Sequence, residues 1–164
     1  MSEWVFAYGS NMASARLRDY SVTPEAPGQA AVLHGYRLVF NKWSKKHQSG
    51  KANVVVDAEA EVWGVAYSLR DDELAILDRG EGAGYGRNIM PLASADGYAI
   101  NAWVYRATAD SIRDDARPFT WYRDFLTLGA KEHGLPAAYI ARLEAIDAIP
   151  DPDPARDAER RELM

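Results

Sequence analysis

Apolar stretches rich in β-branched and aromatic residues dominate the first two thirds of the chain and predict strands. The first runs from Trp4 to Tyr8 and ends at the turn sequence Gly9-Ser10-Asn11. Ser10 or Asn11 is a suitable cap for a short helix that follows this turn. The second stretch, Ala31 to Trp43, contains Gly35, which indicates a bend or a bulge. The chain therefore begins with two predicted strands on either side of a short helical segment.

The middle of the chain carries the same strand pattern. Asp57 to Glu61 is an acidic segment that predicts a turn between two valine-rich strands. Asp96-Gly97 is a strong signal for a β-hairpin, because these residues tolerate the positive φ angles of a tight turn. The first turn separates predicted strands at residues 54–56 and 62–69, and the second separates predicted strands at residues 87–93 and 98–107.

Helical periodicity appears between these strands and again in the last third. A helix is predicted from Asp71 or Asp72 to the neighbourhood of Gly80. Gly134 lies where a helix C-cap is expected, and Pro136 marks the start of the next helix. The apolar faces of these two C-terminal helices are formed by Tyr122, Phe125, Leu126 and Gly129, and by Tyr139, Ile140, Leu143 and Ile146.

Most strands precede most helices, and this order predicts an α+β fold with a largely antiparallel sheet or barrel. It does not fit a doubly wound nucleotide-binding fold. No linker divides the chain, so residues 1–150 are predicted to form a single domain. Residues 151–164 are proline-rich and then highly charged, and we expect a mobile charged tail there.

Composition narrows the functional classes. The net charge of −5 gives no electrostatic basis for binding nucleic acid or an anionic membrane. The chain has no cysteine and its three histidines share no ligand spacing, so we predict no metal site. No apolar run is long enough to span a membrane, and the N-terminus lacks a signal-peptide pattern. We therefore expect a cytoplasmic protein, and a homodimer is compatible with the sequence.

Two segments are candidates for chemistry. The turn Tyr8-Gly9-Ser10-Asn11 has two interpretations: a backbone cradle for an anion or oxyanion, or a plain connection between strand and helix. Glu81 lies in a glycine-rich stretch, Gly80 to Gly86, where it is either a catalytic carboxylate or a solvated turn residue. Ser10 is a weak nucleophile candidate, because the Gly-x-Ser-x-Gly elbow is absent. The glycines of the Gly80 to Gly86 stretch also lack the spacing of a phosphate-binding fingerprint.

Four segments, in order, resemble the γ-glutamylcyclotransferase family. They are Phe6-Ala7-Tyr8-Gly9-Ser10-Asn11-Met12, Glu61-Val62-Trp63-Gly64-Val65, Leu77-Asp78-Arg79-Gly80-Glu81-Gly82 and Gly129-Ala130-Lys131-Glu132-His133-Gly134-Leu135-Pro136. The resemblance implies a small mixed β-barrel flanked by helices, in the γ-glutamylcyclotransferase-like (AIG2-like) superfamily. It also implies a reaction without a cofactor, in which the α-amine of a γ-glutamyl group attacks its own γ-carbonyl. The products are 5-oxoproline and a free amino acid.

The resemblance also assigns residues. Glu81 matches the catalytic acid/base of the family, and the substrate-binding positions are Tyr8, Gly9, Ser10, Asn11, Tyr85 and Tyr122. Three alternatives stay open: a cyclotransferase for γ-glutamylamines, a pathway-specific γ-glutamyl cyclotransferase, and a γ-glutamyl-binding module without activity. The glutathione-specific relatives have leucine where this chain has Asn11, which makes that specificity less favoured.

Overall fold

A closed five-stranded barrel forms the centre of the molecule. The computed structural model describes residues 1–164. Around the barrel the order is β1-β3-β2-β4-β5; β1 and β5 pair in parallel to close it, and the other neighbours are antiparallel. This mixed barrel, flanked by helices, confirms the predicted α+β class. The strands are β1 (Ser2–Ala7), β2 (Gln29–Ser44), β3 (Ser49–Arg70), β4 (Tyr85–Ser94) and β5 (Ala99–Ala107).

Five helices flank the barrel and complete one continuous hydrophobic core. They are α1 (Ser14–Asp19), α2 (Asp71–Glu81), α3 (Thr120–Glu132), α4 (Ala137–Glu144) and α5 (Pro154–Glu162), with short 3₁₀ turns at Ser10–Met12 and Ala109–Ser111. Phe6 from β1 and Trp121 and Phe125 from α3 are fully buried in this core. None of the helices combines the length and the apolar character that crossing a membrane requires.

The predicted turn at Asp57 to Glu61 is wrong, because β3 runs without a break from Ser49 to Arg70. The acidic segment instead coincides with an interruption of strand pairing. His34 of β2 pairs with Glu61, whereas Tyr36 pairs with Val56, so an irregularity lies beside Gly35. Gly35 has a φ of 83°, as the predicted bulge requires. Charged residues here reflect a locally unpaired strand edge rather than a reversal of the chain.

The C-terminal residues form a helix that the sequence analysis did not predict. Asp153 caps α5 by accepting hydrogen bonds from the backbone N–H groups of Ala155 and Arg156. The buried carboxylate of Asp151 accepts a 2.8 Å hydrogen bond from Trp121 Nε1 and two from the Arg156 guanidinium. These contacts hold the start of α5 against α3, where the pattern of charges alone indicated a tail.

Candidate active site

Glu81 is the last residue of α2, where the helix meets the mouth of the barrel. Gly82 follows with a φ of 77°, a left-handed conformation that ends the helix and turns the chain toward β4. The half-buried Glu81 carboxylate faces a pocket and accepts a 2.6 Å hydrogen bond from Asn11 Nδ2. No Lys or Arg nitrogen lies within 4.0 Å of it. Glu81 is therefore held by a neutral amide rather than by an ion pair.

Burial raises the pKa of Glu81 above its ordinary value. Arg16, the Asn11 hydrogen bond, Lys42 and Lys51 act in the opposite direction but do not outweigh burial. The position at the C-terminus of α2 also disfavours the ionised form, because the negative end of the helix dipole lies there. A carboxyl group with a raised pKa is well suited to take up and return a proton near neutral pH.

Asp78, one turn before Glu81, fixes this end of α2 to the barrel. Its carboxylate accepts hydrogen bonds of 2.8 and 3.0 Å from Arg87 of β4, and another from the Tyr105 hydroxyl of β5. Burial raises the pKa of Asp78, but the bonds from Arg87 and Tyr105 outweigh it, so that its pKa lies below the ordinary value. Asp78 is therefore an ionised anchor that holds the Glu81 backbone in place.

The turn after β1 brings its backbone to the same pocket. A Cβ atom on Gly9 would lie 3.0 Å from both the Ala52 Cβ and the Tyr122 hydroxyl, so that only glycine fits without a shift. The Gly9 N–H donates to no acceptor, and the N–H groups that start the following 3₁₀ turn have none within that turn. The side chain of Asn11 donates to Glu81, while its Oδ1 is buried without a partner. The turn thus presents both free donors and a free acceptor.

The predicted capping role of Ser10 or Asn11 is wrong. Neither side chain caps a helix, and the N-cap of α1 is Ala13. Asn11 is instead turned toward Glu81, which shows why a polar residue stands at this position. Ser10 is buried and borders the pocket, and its hydroxyl makes no hydrogen bond to a histidine or carboxylate that could activate it as a nucleophile.

Three tyrosines complete the wall of the pocket, and each hydroxyl is tied to the backbone. Tyr85 donates to the Ala52 carbonyl at 2.7 Å, and Tyr122 accepts from the Ala52 N–H at 3.0 Å. Tyr8 donates to the carbonyl of Tyr105. Burial raises the pKa of Tyr8, Tyr85 and Tyr122. These hydroxyls therefore stay protonated and shape the pocket without acting as bases.

The pocket has a narrow inner part and a wide outer part. The inner pocket is the smaller part, and it is lined mostly by apolar side chains together with the Tyr8-to-Asn11 turn. The outer cleft has a volume of about 670 Å³ and is mostly polar. Ser10, Glu81, Tyr85 and Tyr122 line both parts. The structure therefore brings all predicted site residues together and places Glu81 at the junction of the two parts.

Sequence reasoning missed several residues that line the outer cleft. The polar and basic sequence of residues 45–51 predicts a solvated loop and a surface position for His47. This prediction is wrong, because pairing of Ser44 with Ser49 folds the segment back onto α3. His47 is 8% exposed, and Lys51 is half-buried against the ring of Trp121. Arg16 and Lys42 are also near enough to lower the pKa of Glu81. Apart from the basic composition of residues 45–51, no sequence signal linked these residues to the two motifs.

These features define a small barrel in which one carboxyl group of raised pKa faces a glycine-containing turn. A family model described as gamma-glutamyl cyclotransferase, AIG2-like, matches residues 5–124. The human gamma-glutamylcyclotransferase is 31% identical over 150 residues, which cover 87% of this chain and 77% of the human protein. The chain belongs to the γ-glutamyl cyclotransferase, AIG2-like family.

Solved structures agree with this assignment. A gamma-glutamyl cyclotransferase superposes with a TM-score of 0.85 at 27% identity, covering 99% of both chains. The human protein loc79017 superposes with a TM-score of 0.79 at 31% identity, covering 90% of this chain and 89% of that one. The comparisons confirm the predicted family, the barrel fold and the class of enzyme.

Proposed function

We propose that this cyclotransferase converts γ-glutamyl amino acids or dipeptides to 5-oxoproline and a free amino acid, with Glu81 as the only general acid/base. The observation that carries the proposal is the pairing of two features across one pocket. Glu81 is a half-buried carboxylate with a raised pKa and no ion pair. Asn11, from the glycine turn on the opposite side, donates to it at 2.6 Å. A proton acceptor and a set of backbone donors thus face the same small volume.

The inner pocket is the binding place for the γ-glutamyl group. The α-ammonium group of the substrate can donate to Glu81 and to the unpartnered Oδ1 of Asn11. Its γ-carbonyl oxygen is placed near the free N–H of Gly9 and the first N–H groups of the 3₁₀ turn. Tyr8, Tyr85 and Tyr122 surround the aliphatic part of the substrate. The scissile amide then points toward the outer cleft, where the leaving amino acid lies.

The reaction follows from this placement. Glu81 takes a proton from the α-ammonium group, whose ordinary pKa is about 8. The freed amine attacks the γ-carbonyl carbon and forms the ring C–N bond, while the carbonyl oxygen becomes an oxyanion near the turn N–H groups. The protonated Glu81 gives its proton to the leaving nitrogen, the oxyanion reforms the carbonyl, and the original amide C–N bond breaks. The regenerated Glu81 carboxylate then carries the extra proton of the ring nitrogen to the released amine, so that the lactam nitrogen keeps one proton and the amino acid leaves as an ammonium ion. No water is consumed. Because the nucleophile is tethered within the substrate, ring closure carries a small entropic cost.

The proposal is tested by assaying 5-oxoproline with γ-glutamyl-alanine, γ-glutamyl-lysine and glutathione. We expect 5-oxoproline from γ-glutamyl-alanine, in amounts equal to the alanine released. Higher activity on γ-glutamyl-lysine would favour the γ-glutamylamine alternative. If folded protein binds these compounds but releases no 5-oxoproline from any of them, the proposed reaction is wrong and the binding-module alternative stands.

The pH dependence of kcat/KM is expected to report the ionisation of Glu81. Burial raises its pKa above 4.5, and only the ionised form can accept a proton. Activity should therefore be present above this pKa and should fall with a limiting slope of about tenfold per pH unit below it. Steady-state rates measured between pH 4 and 8 with γ-glutamyl-alanine, with circular dichroism to check folding at each pH, provide the test. A midpoint at or below 4.5 would contradict the assignment.

A further inference from the structure

The outer cleft is strongly basic, although the chain as a whole has a net charge of −5. Seven lysine or arginine residues and three carboxylates line it. The cations come from α1, from the end of β2 and the turn after it, from the start of β3, from the segment before α3 and from α5. They are Arg16, Lys42, Lys45, Lys46, Lys51, Arg113 and Arg160.

Few of these cations have a carboxylate partner. Arg16 and Arg160 share Asp19, and no other ion pair involves a cation of the cleft. The Nε atoms of Arg16 and Arg160 are, in addition, buried without any hydrogen-bond acceptor. Arg16 and Arg160 therefore keep hydrogen-bonding capacity that Asp19 does not use, on a wall of the cleft that already carries surplus positive charge.

Lys51 lies at the inner end of this basic cleft. Its Nζ is 4.5 Å from the ring centroids of both Trp121 and Tyr122, and 3.1 Å from His47 Nδ1. Burial, followed by the charges of Arg16 and Arg160, lowers its pKa well below the ordinary value. These neighbouring positive charges therefore repel one another. An anion among them would relieve this repulsion.

We infer that the outer cleft selects substrates whose leaving group is itself an acidic amino acid, so that two carboxylates enter the cleft. This inference rests on the proposed function of the same site. A neutral leaving amino acid brings one carboxylate, which leaves most of the surplus cations without a counter-charge. The side-chain carboxylate of a glutamate or aspartate provides a second one. Clustered charges of one sign in a concave surface also raise the local concentration of such anions.

The test compares γ-glutamyl-glutamate with γ-glutamyl-glutamine, which have nearly the same shape and differ by one charge. We expect kcat/KM to be about tenfold higher for the glutamate dipeptide at low ionic strength. The ratio should fall toward one at high salt, because screening weakens partly exposed charge pairs. A ratio of one or less at low salt would overturn the inference, while release of 5-oxoproline from both dipeptides would leave the proposed function intact.

Variants of the cleft distinguish recognition of the substrate charge by the cleft from an effect of removing any positive charge from the protein. Arg160→Gln and Lys42→Gln should each lower the glutamate-to-glutamine ratio several-fold, mainly through KM. Arg142→Gln is a matched control, because Arg142 contacts the ring of Tyr139 and does not line the cleft. An unchanged ratio in both cleft variants would overturn the inference.

Binding provides a readout that does not depend on turnover. Calorimetric titration of the Glu81→Gln protein should give tighter binding of γ-glutamyl-glutamate than of γ-glutamyl-glutamine, by a similar factor. Equal affinities would contradict the inference even if neither dipeptide were converted. If instead the glutamate dipeptide binds more tightly but no γ-glutamyl compound yields 5-oxoproline, the reaction fails as a proposal and the anionic subsite stands.

Discussion

Replacing Glu81 with glutamine is expected to lower kcat for 5-oxoproline release by at least about 10²-fold, the low end for loss of an acid/base catalyst. Glutamine keeps the size of the side chain and can still pair with Asn11, but it can neither accept the proton of the α-ammonium group nor return it. The Asn11 bond and the burial of the site are retained. KM should therefore change less than kcat. Steady-state assay with γ-glutamyl-alanine measures both parameters.

The stability of the same variant provides an internal check. The raised pKa of Glu81 means that the folded protein holds the proton more tightly than the unfolded chain does. The stabilising contribution of the protonated form is complete below the unfolded pKa and is lost as the pH rises through the folded pKa. At pH 7.5 the neutral Glu81→Gln variant should thus melt at least as high as the wild type, and this advantage should disappear at acid pH.

A control variant distinguishes the site from a general loss of charge. Glu59→Gln removes a carboxylate from the exposed part of β3 and should leave kcat unchanged. A folded Glu81→Gln protein with full activity would show that another group transfers the proton.

Much of the fold was predictable because its signals are local. The apolar run of β1, the hairpin at Asp96-Gly97 and the helix signals at Gly134 and Pro136 all act over a few residues, and the structure has elements at each. The continuous β3 was not predictable in the same way. Its acidic residues resemble a turn, and they stay extended because the residues on both sides of them pair with β2 and the end of β3 pairs with β1. This pairing depends on contacts that are distant in sequence.

Some residues of the candidate site were likewise predictable from local sequence, and others were not. Glu81 and the Tyr8-to-Asn11 turn belong to compact motifs, so that sequence alone indicated them. The cations of the outer cleft come from several separate elements, and no local pattern links Arg16, Lys51 and Arg160. Arg160 reaches the cleft only because α5 packs against α3, which requires the buried contacts of Asp151 with Trp121 and Arg156. A charged C-terminal sequence does not reveal such contacts.

The packing of α3 against the turn links stability to the active site, and Gly129→Ala tests this link. A Cβ atom at Gly129 would lie 2.3 Å from the Met12 carbonyl carbon and 2.4 Å from the Ala13 nitrogen. Backbone atoms cannot move aside as a flexible side chain can, so that either α3 or the turn must shift. Overpacking of this kind costs about 2 kcal/mol, even though alanine favours the helix. The expected fall in Tm is ~4–8 °C, measured by calorimetry.

The same shift should reduce catalysis beyond its effect on stability. Asn11 directly precedes Met12, so that movement of the turn displaces both the amide that contacts Glu81 and the free N–H groups near it. A displacement of about 1 Å in a positioned site can lower the rate by roughly 10²-fold. Gly86→Ala is the matched control, because a Cβ there would meet no atom within 4 Å; it should keep both Tm and kcat. If the Gly129→Ala protein loses stability yet keeps full kcat at 20 °C, the turn tolerates movement. In that case, catalysis by Glu81 does not depend on the position of the turn.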